Sequence, residues 1–227
     1  MKKILVIAAH PDDEILGCGA TISKHINEKD EVYVMIMTPG VDSRNKNKKE
    51  KIVDKSILRK SVFQCHKFLG IKKTFLNKFP DNRMDKVNLL SIVKKIEHIL
   101  NKVKPEIIYT HHYGDLNIDH QIVHRATVTA CRPSPKNLVK KIYTFEVVSS
   151  TEWQSNSKEE VFIPNYFVNI DTFIKEKIKA LKYYKNEMRP FPHSRSLESI
   201  RALARWRGAS VGLKAAEAFC LVRQIKK

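Results

Sequence analysis

Apolar residues run with little interruption over Lys3 to Ala8 (KILVIA) and again over Glu31 to Thr38 (EVYVMIMT). Strict alternation would mark a half-exposed strand, whereas continuous runs of this length fit parallel strands covered on both faces. Gly17 to Asn27, between them, is expected to be helical, giving strand, helix and strand in about 35 residues, the size of one βαβ unit. A lysine-rich helix is predicted over Lys48 to Phe68 and a short strand over Thr74 to Leu76. Leu89, Ile92, Val93, Ile96, Ile99, Leu100 and Val103 then recur at spacings of three and four, which predicts an amphipathic helix.

Glu106 to His111 reads as a strand after Lys104-Pro105. Asp119 to Ala130 reads as a helix stopped by Pro133 and Pro135, and Lys141 to Val147 as a further strand. Phe173 to Glu187 and Leu197 to Trp206 read as helices flanking the loop Arg189 to His193, with Leu203 and Trp206 expected in the core. Glu217 to Arg223 fits a closing helix or an edge strand equally well. The alternation of strands and helices implies an α/β fold, an open and mostly parallel sheet with helices on both faces. No internal repeat or long linker divides the sequence, so residues 1–227 are expected to form one domain.

Composition narrows the class. With 42% hydrophobic and 29% charged residues, the chain reads as soluble and globular, and no apolar run approaches the roughly 18 residues of a membrane span. The opening MKKILVIAAHPDDE has the basic start of a secretory leader, but its apolar run ends early in a carboxylate cluster, as a buried first strand would. Cys18, Cys65, Cys131 and Cys220 lack CxxC spacing, which argues against a disulfide framework or a thiolate metal site; a cytoplasmic address is expected. The net charge of +18 would attract anionic partners, but no aromatic-interleaved basic motif accompanies it, so nucleic acid is not the expected partner.

Ligands of such sheets bind beyond the carboxyl ends of the strands, and His10-Pro11-Asp12-Asp13-Glu14 sits at the end of the first. Three acids and an imidazole in five residues repel one another if buried without a cation, and a divalent metal removes that conflict. His10 and Asp13 can point at one metal, with Asp12 free to aim at water; helix capping by Asp12 or Asp13 is the competing explanation. A second polar cluster, His111 to His120 (HHYGDLNIDH), also follows a predicted strand and leads into a helix. His120 could complete a two-histidine, one-carboxylate set with His10 and Asp13, although spacing alone does not separate it from His124, one turn on.

The AHPDDE at 9–14, the DLNIDH at 115–120, the PHSRS at 192–196 and the RWRGASVGLKAAEAF at 205–219 resemble the LmbE/PIG-L family of zinc-dependent N-deacetylases, in particular bacterial members associated with polysaccharide or glycolipid biosynthesis. The resemblance implies a Rossmann-like fold, one zinc per chain, and hydrolysis of an N-acyl group, usually acetyl, from an amino sugar. It makes His10, Asp13 and His120 the zinc ligands and Asp12 the general base, with Glu14 orienting the loop. Many members carry a further histidine at the position of Asn117, where it stabilises the oxyanion or protonates the leaving amine. An asparagine can donate a hydrogen bond there but cannot deliver a proton, which leaves His193 or Asp12 itself as the acid. Arg44 lies where members often place a substrate-binding arginine, and Asp81, Asn82 and Arg83 could meet sugar hydroxyls or a phosphate.

The expected substrate is therefore an N-acylated amino sugar, free or linked to a nucleotide, phosphate or lipid, and a homo-oligomer is compatible with the sequence. The Arg201, Arg205 and Arg207 series fits a solvated helix face better than a diphosphate site. Two other functions would use the same residues differently. A metallohydrolase acting on a phosphoester would keep the metal set and change the reaction, and a non-catalytic basic nucleic-acid-binding protein would bind without it.

Overall fold

A computed structural model describes residues 1–41, 48–133, 139–155, 157 and 159–226. Arg44 and Pro135 lie outside the described residues. Among the described residues the sheet has seven strands: β1 (Lys3–Ala8), β2 (Glu31–Ile36), β3 (Lys73–Leu76), β4 (Ile107–His111), β5 (Lys141–Phe145), β6 (Tyr166–Asn169) and β7 (Ala216–Gln224). Among the described residues six α-helices accompany them: α1 (Asp13–Asn27), α2 (Lys48–Leu69), α3 (Leu89–Val103), α4 (Ile118–Ala130), α5 (Ile174–Leu181) and α6 (Leu197–Ala209).

Strand order is β3-β2-β1-β4-β5-β7-β6. The first five strands are parallel, and β7 runs antiparallel to both of its neighbours. The continuous apolar runs are explained by the two faces they serve. Ile4 and Val6 of β1, with Val32, Val34 and Ile36 of β2, pack under α1, α2, α5 and α6. Leu5 and Ile7, with Tyr33 and Met35, pack under α3 and α4. The fold is thus the Rossmann-like three-layer arrangement.

After β3 the chain crosses back to place β4 on the other side of β1, with α3 on the opposite face from α1 and α2. The direction of winding reverses between β1 and β4, and the loops leaving those two strands part there to leave a crevice. His10 and His111, which follow and end these strands, are brought together by this reversal.

Several expectations need correction. Helix α1 begins at Asp13 rather than Gly17, so Asp13 and Glu14 already lie in its first turn, and it is kinked at Cys18 (φ −145°, ψ 25°). The kink is stitched by a buried ion pair: Glu217 accepts from the backbone N–H groups of Ala20 (3.1 Å) and Thr21 (2.7 Å), while Lys177 Nζ donates to Leu16 O (2.7 Å) and Glu217 (2.6 Å). Segment 217–223 is a strand inside the sheet, between β5 and β6, and neither helix nor edge. The edge on that side is β6, whose short and half-exposed sequence carries little strand signal.

Helix α5 ends at Leu181 and passes into a 3₁₀ turn over Lys182–Tyr184, well short of Glu187. Trp206 is 68% exposed, so it is not a core residue, whereas Leu203 packs against the core. Among the described residues no helix is long and apolar enough to cross a membrane.

Candidate metal centre

Three donor atoms meet at the reversal. His10 Nδ1 lies 3.2 Å from Asp13 Oδ2 and 3.2 Å from His120 Nε2, and the last two are 3.1 Å apart. Donors about 2.0–2.1 Å from a tetrahedral zinc are about 3.3–3.4 Å from one another, so this triangle fits one such ion with little adjustment. Asp13 and His120 are buried, and Asp13 Oδ1 has no hydrogen-bond partner. The donor set, two imidazoles and one carboxylate, suits zinc and other first-row divalent ions.

The outer nitrogens of both imidazoles face carboxylates. His10 Nε2 is 3.1 Å from Asp119 Oδ2 and 3.3 Å from Asp81 Oδ1; His120 Nδ1 is 3.1 Å from Asp115 Oδ1. The hydrogen bond to Asp119 fixes the His10 tautomer and aims Nδ1 at the shared point, whereas His120 Nδ1 forms no hydrogen bond and faces Asp115 as a charge partner. Each carboxylate is itself anchored. Asp119 accepts from the backbone N–H groups of Asn82 (2.7 Å) and Met84 (3.0 Å), and Asp115 accepts from Thr151 Oγ1 (2.6 Å), Ser150 Oγ and the Asn117 N–H (2.9 Å). His10, Asp81 and Asp119 also form a second compact donor group. Asp119 is already engaged by backbone donors on both oxygens, so that group reads as support for His10.

The electrostatics show the same pull for positive charge. Burial lowers the His10 pKa, but hydrogen bonds to Asp119 and Asp13 outweigh it and raise it to about 10. Burial likewise opposes the charge on His120, and the Asp13 and Asp115 carboxylates raise it to about 9. Burial would push Asp13 up, and the two imidazoles bring it well below the usual carboxylate range. Two protons on the imidazoles hold the carboxylates ionised, which is the work a divalent cation would do in their place.

Asp12 is 1% exposed and adopts the left-handed conformation at φ 101°, unusual for a residue with a side chain. Its backbone N–H donates to Glu14 Oε2 (3.0 Å), and Glu14 Oε1 in turn accepts from Tyr184 OH (2.7 Å) and faces His66 Nε2 (3.0 Å). The Asp12 side chain caps nothing. It accepts instead from Arg195 Nη1 at 2.7 Å, and Arg195 Nε donates to Ser149 Oγ (2.6 Å). Burial pushes the Asp12 pKa up and Arg195 draws it back; the balance lies well above the ordinary value.

The remaining residues singled out from sequence are placed as follows. Asn117 caps α4: Oδ1 accepts from the Asp119 N–H (2.9 Å) and Nδ2 donates to Asn82 Oδ1 (2.9 Å). His193 Nδ1 accepts from the Arg195 N–H (3.0 Å), which places the proton of a neutral ring on Nε2. Asp81 is buried against His10, Asn82 and Arg83 are exposed, and Arg44 is outside the described residues. His124 is not part of the triangle, since its Nδ1 faces His111 O at 2.9 Å. Arg207 forms a two-pronged pair with Glu146 (2.8 and 2.7 Å), while Arg201 and Arg205 are exposed.

Three features had no individual signal in the sequence. Arg195 stood inside the PHSRS segment as one cation among many. Asp115 and Asp119 stood inside DLNIDH, where their grip on the imidazoles could not be read from spacing. His111 carries no signal of its own beyond opening the HHYGDLNIDH cluster. It accepts from the Ala9 N–H (2.8 Å), burial lowers its pKa well below the ordinary value, and it stacks on His120 with ring centroids 3.9 Å apart. It is a neutral platform under the His120 ring.

Known proteins share this architecture. The chain is 29% identical over 191 residues to the uncharacterized deacetylase YaiS of Escherichia coli, covering 82% of this chain and 91% of that protein. It superposes on the N,N'-diacetylchitobiose deacetylase of Pyrococcus horikoshii with a TM-score of 0.79 at 22% identity, over 97% of this chain and 84% of that one. It also superposes on GalB, a 4-carboxy-2-hydroxymuconate hydratase of Pseudomonas putida, with a TM-score of 0.80 at 18% identity, over 100% and 98% of the two chains. Such structural likeness at low identity speaks for the fold, and a fold that carries both a deacetylase and a hydratase does not name a reaction. The sequence profile of the GlcNAc-PI de-N-acetylase (PIG-L) family matches residues 5–131, the stretch that runs from β1 through α4 and contains His10, Asp12, Asp13 and His120. By that match the chain belongs to the PIG-L family.

Proposed function

We propose that this protein is a zinc-dependent N-deacetylase of an amino sugar or sugar conjugate, with residues 1–227 acting as one catalytic domain. The observation that carries the reading is the triangle of His10 Nδ1, Asp13 Oδ2 and His120 Nε2, with edges of 3.1–3.2 Å, beside a buried carboxylate that takes no part in it. His10, Asp13 and His120 hold the zinc, and Asp12 is the general base. Membership of the GlcNAc-PI de-N-acetylase family supports an N-acetylated amino sugar as the substrate class, and the sequence likeness to the YaiS deacetylase supports deacetylation.

An amide resists water because its carbonyl is weakly electrophilic and its amine leaves poorly. Zinc, when bound, supplies a Lewis acid that polarises the carbonyl and acidifies water. Asp12 takes the proton of the attacking water at its carboxylate. Its left-handed backbone, pinned through Glu14, and the Arg195 contact hold that carboxylate in one orientation.

Protonation of the nitrogen must precede cleavage of the C–N bond, which yields acetate and the free amine. Asn117 does not serve this step, since its amide protons are not acidic and both ends of its side chain are engaged. The proton comes from Asp12 once it has been protonated, or from His193 Nε2. His193→Gln separates the two: a loss of about 10²-fold or more in kcat assigns the step to His193, and near-normal turnover assigns it to Asp12.

Release of acetate from N-acetylated sugars, free, nucleotide-linked and lipid-linked, by the zinc-loaded protein tests the reading. Zinc-dependent release from at least one class is expected. Zinc-loaded protein that hydrolyses none of them would overturn it.

A further inference from the structure

Asp12 keeps its left-handed backbone at φ 101° although it carries a side chain, and such a conformation persists only where the surroundings over-determine it. The contact that does so is the bond from the Asp12 N–H to Glu14 Oε2 (3.0 Å). A glutamate side chain is long and rotatable, so that bond holds Asp12 only if the carboxylate is itself held. Two side chains from distant parts of the chain meet its other oxygen, Oε1. Tyr184 OH, from the 3₁₀ turn after α5, donates at 2.7 Å, and His66 Nε2, from α2, stands at 3.0 Å. Glu14, His66 and Tyr184 are each no more than 2% exposed.

His66 is fixed at its second nitrogen as well, since Nδ1 lies 2.7 Å from Thr74 Oγ1 of β3. A proton on Nε2 serves the Glu14 carboxylate, and Nδ1 is then left to accept from the Thr74 hydroxyl. Contacts between α2 and its neighbours would be served by an apolar side chain of similar volume. Packing does not require that both ring nitrogens be spent on polar partners, one of them the carboxylate that grips Asp12.

We infer that His66 is a positioning residue of the active centre: it fixes the Glu14 carboxylate, and through it the backbone that aims the Asp12 carboxylate. The inference rests on the reading of Asp12 as the general base. Both nitrogens of the His66 ring face residues outside the donor triangle, so its effect belongs to kcat rather than to KM or metal content.

The test compares the zinc-loaded full chain with His66→Leu, His66→Gln, His66→Asn and Thr74→Val. The side-chain N–H of Gln reaches the place of Nε2, whereas that of Asn reaches the place of Nδ1. Acetate release from an N-acetylated sugar gives kcat and KM, and hydrogen exchange followed by NMR reports the Asp12 amide. His66→Leu and His66→Asn should lower kcat about tenfold or more at nearly constant KM and zinc content, and speed exchange of the Asp12 amide by about the same factor. His66→Gln should recover most of both. Thr74→Val leaves the ring in place without its anchor and should give a smaller loss in the same direction, a comparison that stands even if His66→Leu does not fold.

Wild-type kcat and exchange in His66→Leu, or a His66→Gln variant as impaired as His66→Leu, overturns the inference and leaves the deacetylase reading intact. In a protein that deacetylates, either readout moving without the other also overturns it. Protection of the Asp12 amide that follows the donor at residue 66, in a protein that hydrolyses no sugar amide, would keep His66 as the residue that positions Asp12 and overturn the deacetylase reading.

Discussion

Arg195 is the residue on which the proposed general base depends. Asp12 is buried beside Asp13 and Glu14, and burial alone would protonate it; the guanidinium at 2.7 Å is the cation that faces it. Removing one partner of a buried pair leaves the other uncompensated. Arg195→Ala is therefore expected to lower kcat by roughly 10²-fold with zinc content unchanged, as measured by acetate release and metal analysis. Arg195→Lys should recover only part of the loss, since an ammonium does not reproduce the planar fork that reaches Asp12 and Ser149 together. Full recovery would mean that charge alone matters.

Legibility at this scale was uneven for a physical reason. His10, Asp12 and Asp13 could be singled out because mutually repelling groups crowd one short segment. Arg195 reaches them across 183 positions, and Asp115 and Asp119 act through the far side of an imidazole. Neither relation leaves a periodicity or a local conflict of charge.

Among the elements, α1 is the one whose geometry the site requires. Its first turn carries Asp13 and Glu14, and its kink at Cys18 depends on the Lys177–Glu217 pair, whose side chains are 6% and 4% exposed. Lys177→Met leaves Glu217 buried without its cation and should destabilise the fold by about 3–5 kcal/mol, read from denaturant unfolding. A cost below about 1 kcal/mol would show that Ala20 and Thr21 satisfy the carboxylate by themselves. Gly17 is constrained by close approach: a Cβ there would stand 2.3 Å from the Phe145 ring. Gly17→Ala should cost about 1–3 kcal/mol in the same assay, as overpacked cores do.

The strands and helices that bury a full face were readable from sequence, and β1 matches its expected bounds residue for residue. The misread elements are those held by tertiary contacts. Helix α1 starts early because Asp12 adopts a left-handed backbone pinned by Glu14. Strand β7 pairs on both sides, which its local sequence does not reveal, and β6 exists as an edge to it.

For the whole molecule, three partly or fully buried histidines held neutral lower the stability in acid. Burial lowers the pKa of His25, His112 and His124 below the ordinary 6.5, despite some compensation from hydrogen-bonding partners. Their folded-state values lie below their unfolded values. The stability they contribute is complete above about pH 6.5 and is lost as pH falls through the folded values. The melting temperature of zinc-loaded protein should hold near its plateau above pH 7 and fall steadily toward pH 5. A melting temperature flat across that range would contradict the assignment of these rings as neutral.

The division of roles within His10 to Glu14 is the central claim, and paired metal analysis and acetate release on Asp12→Ala and Asp13→Ala test it most directly. Asp12→Ala should retain about one zinc per chain and lose roughly 10²–10⁴-fold in turnover, while Asp13→Ala should lose the metal and the activity together. Equal zinc loss in both variants, or full turnover in Asp12→Ala, would contradict the account.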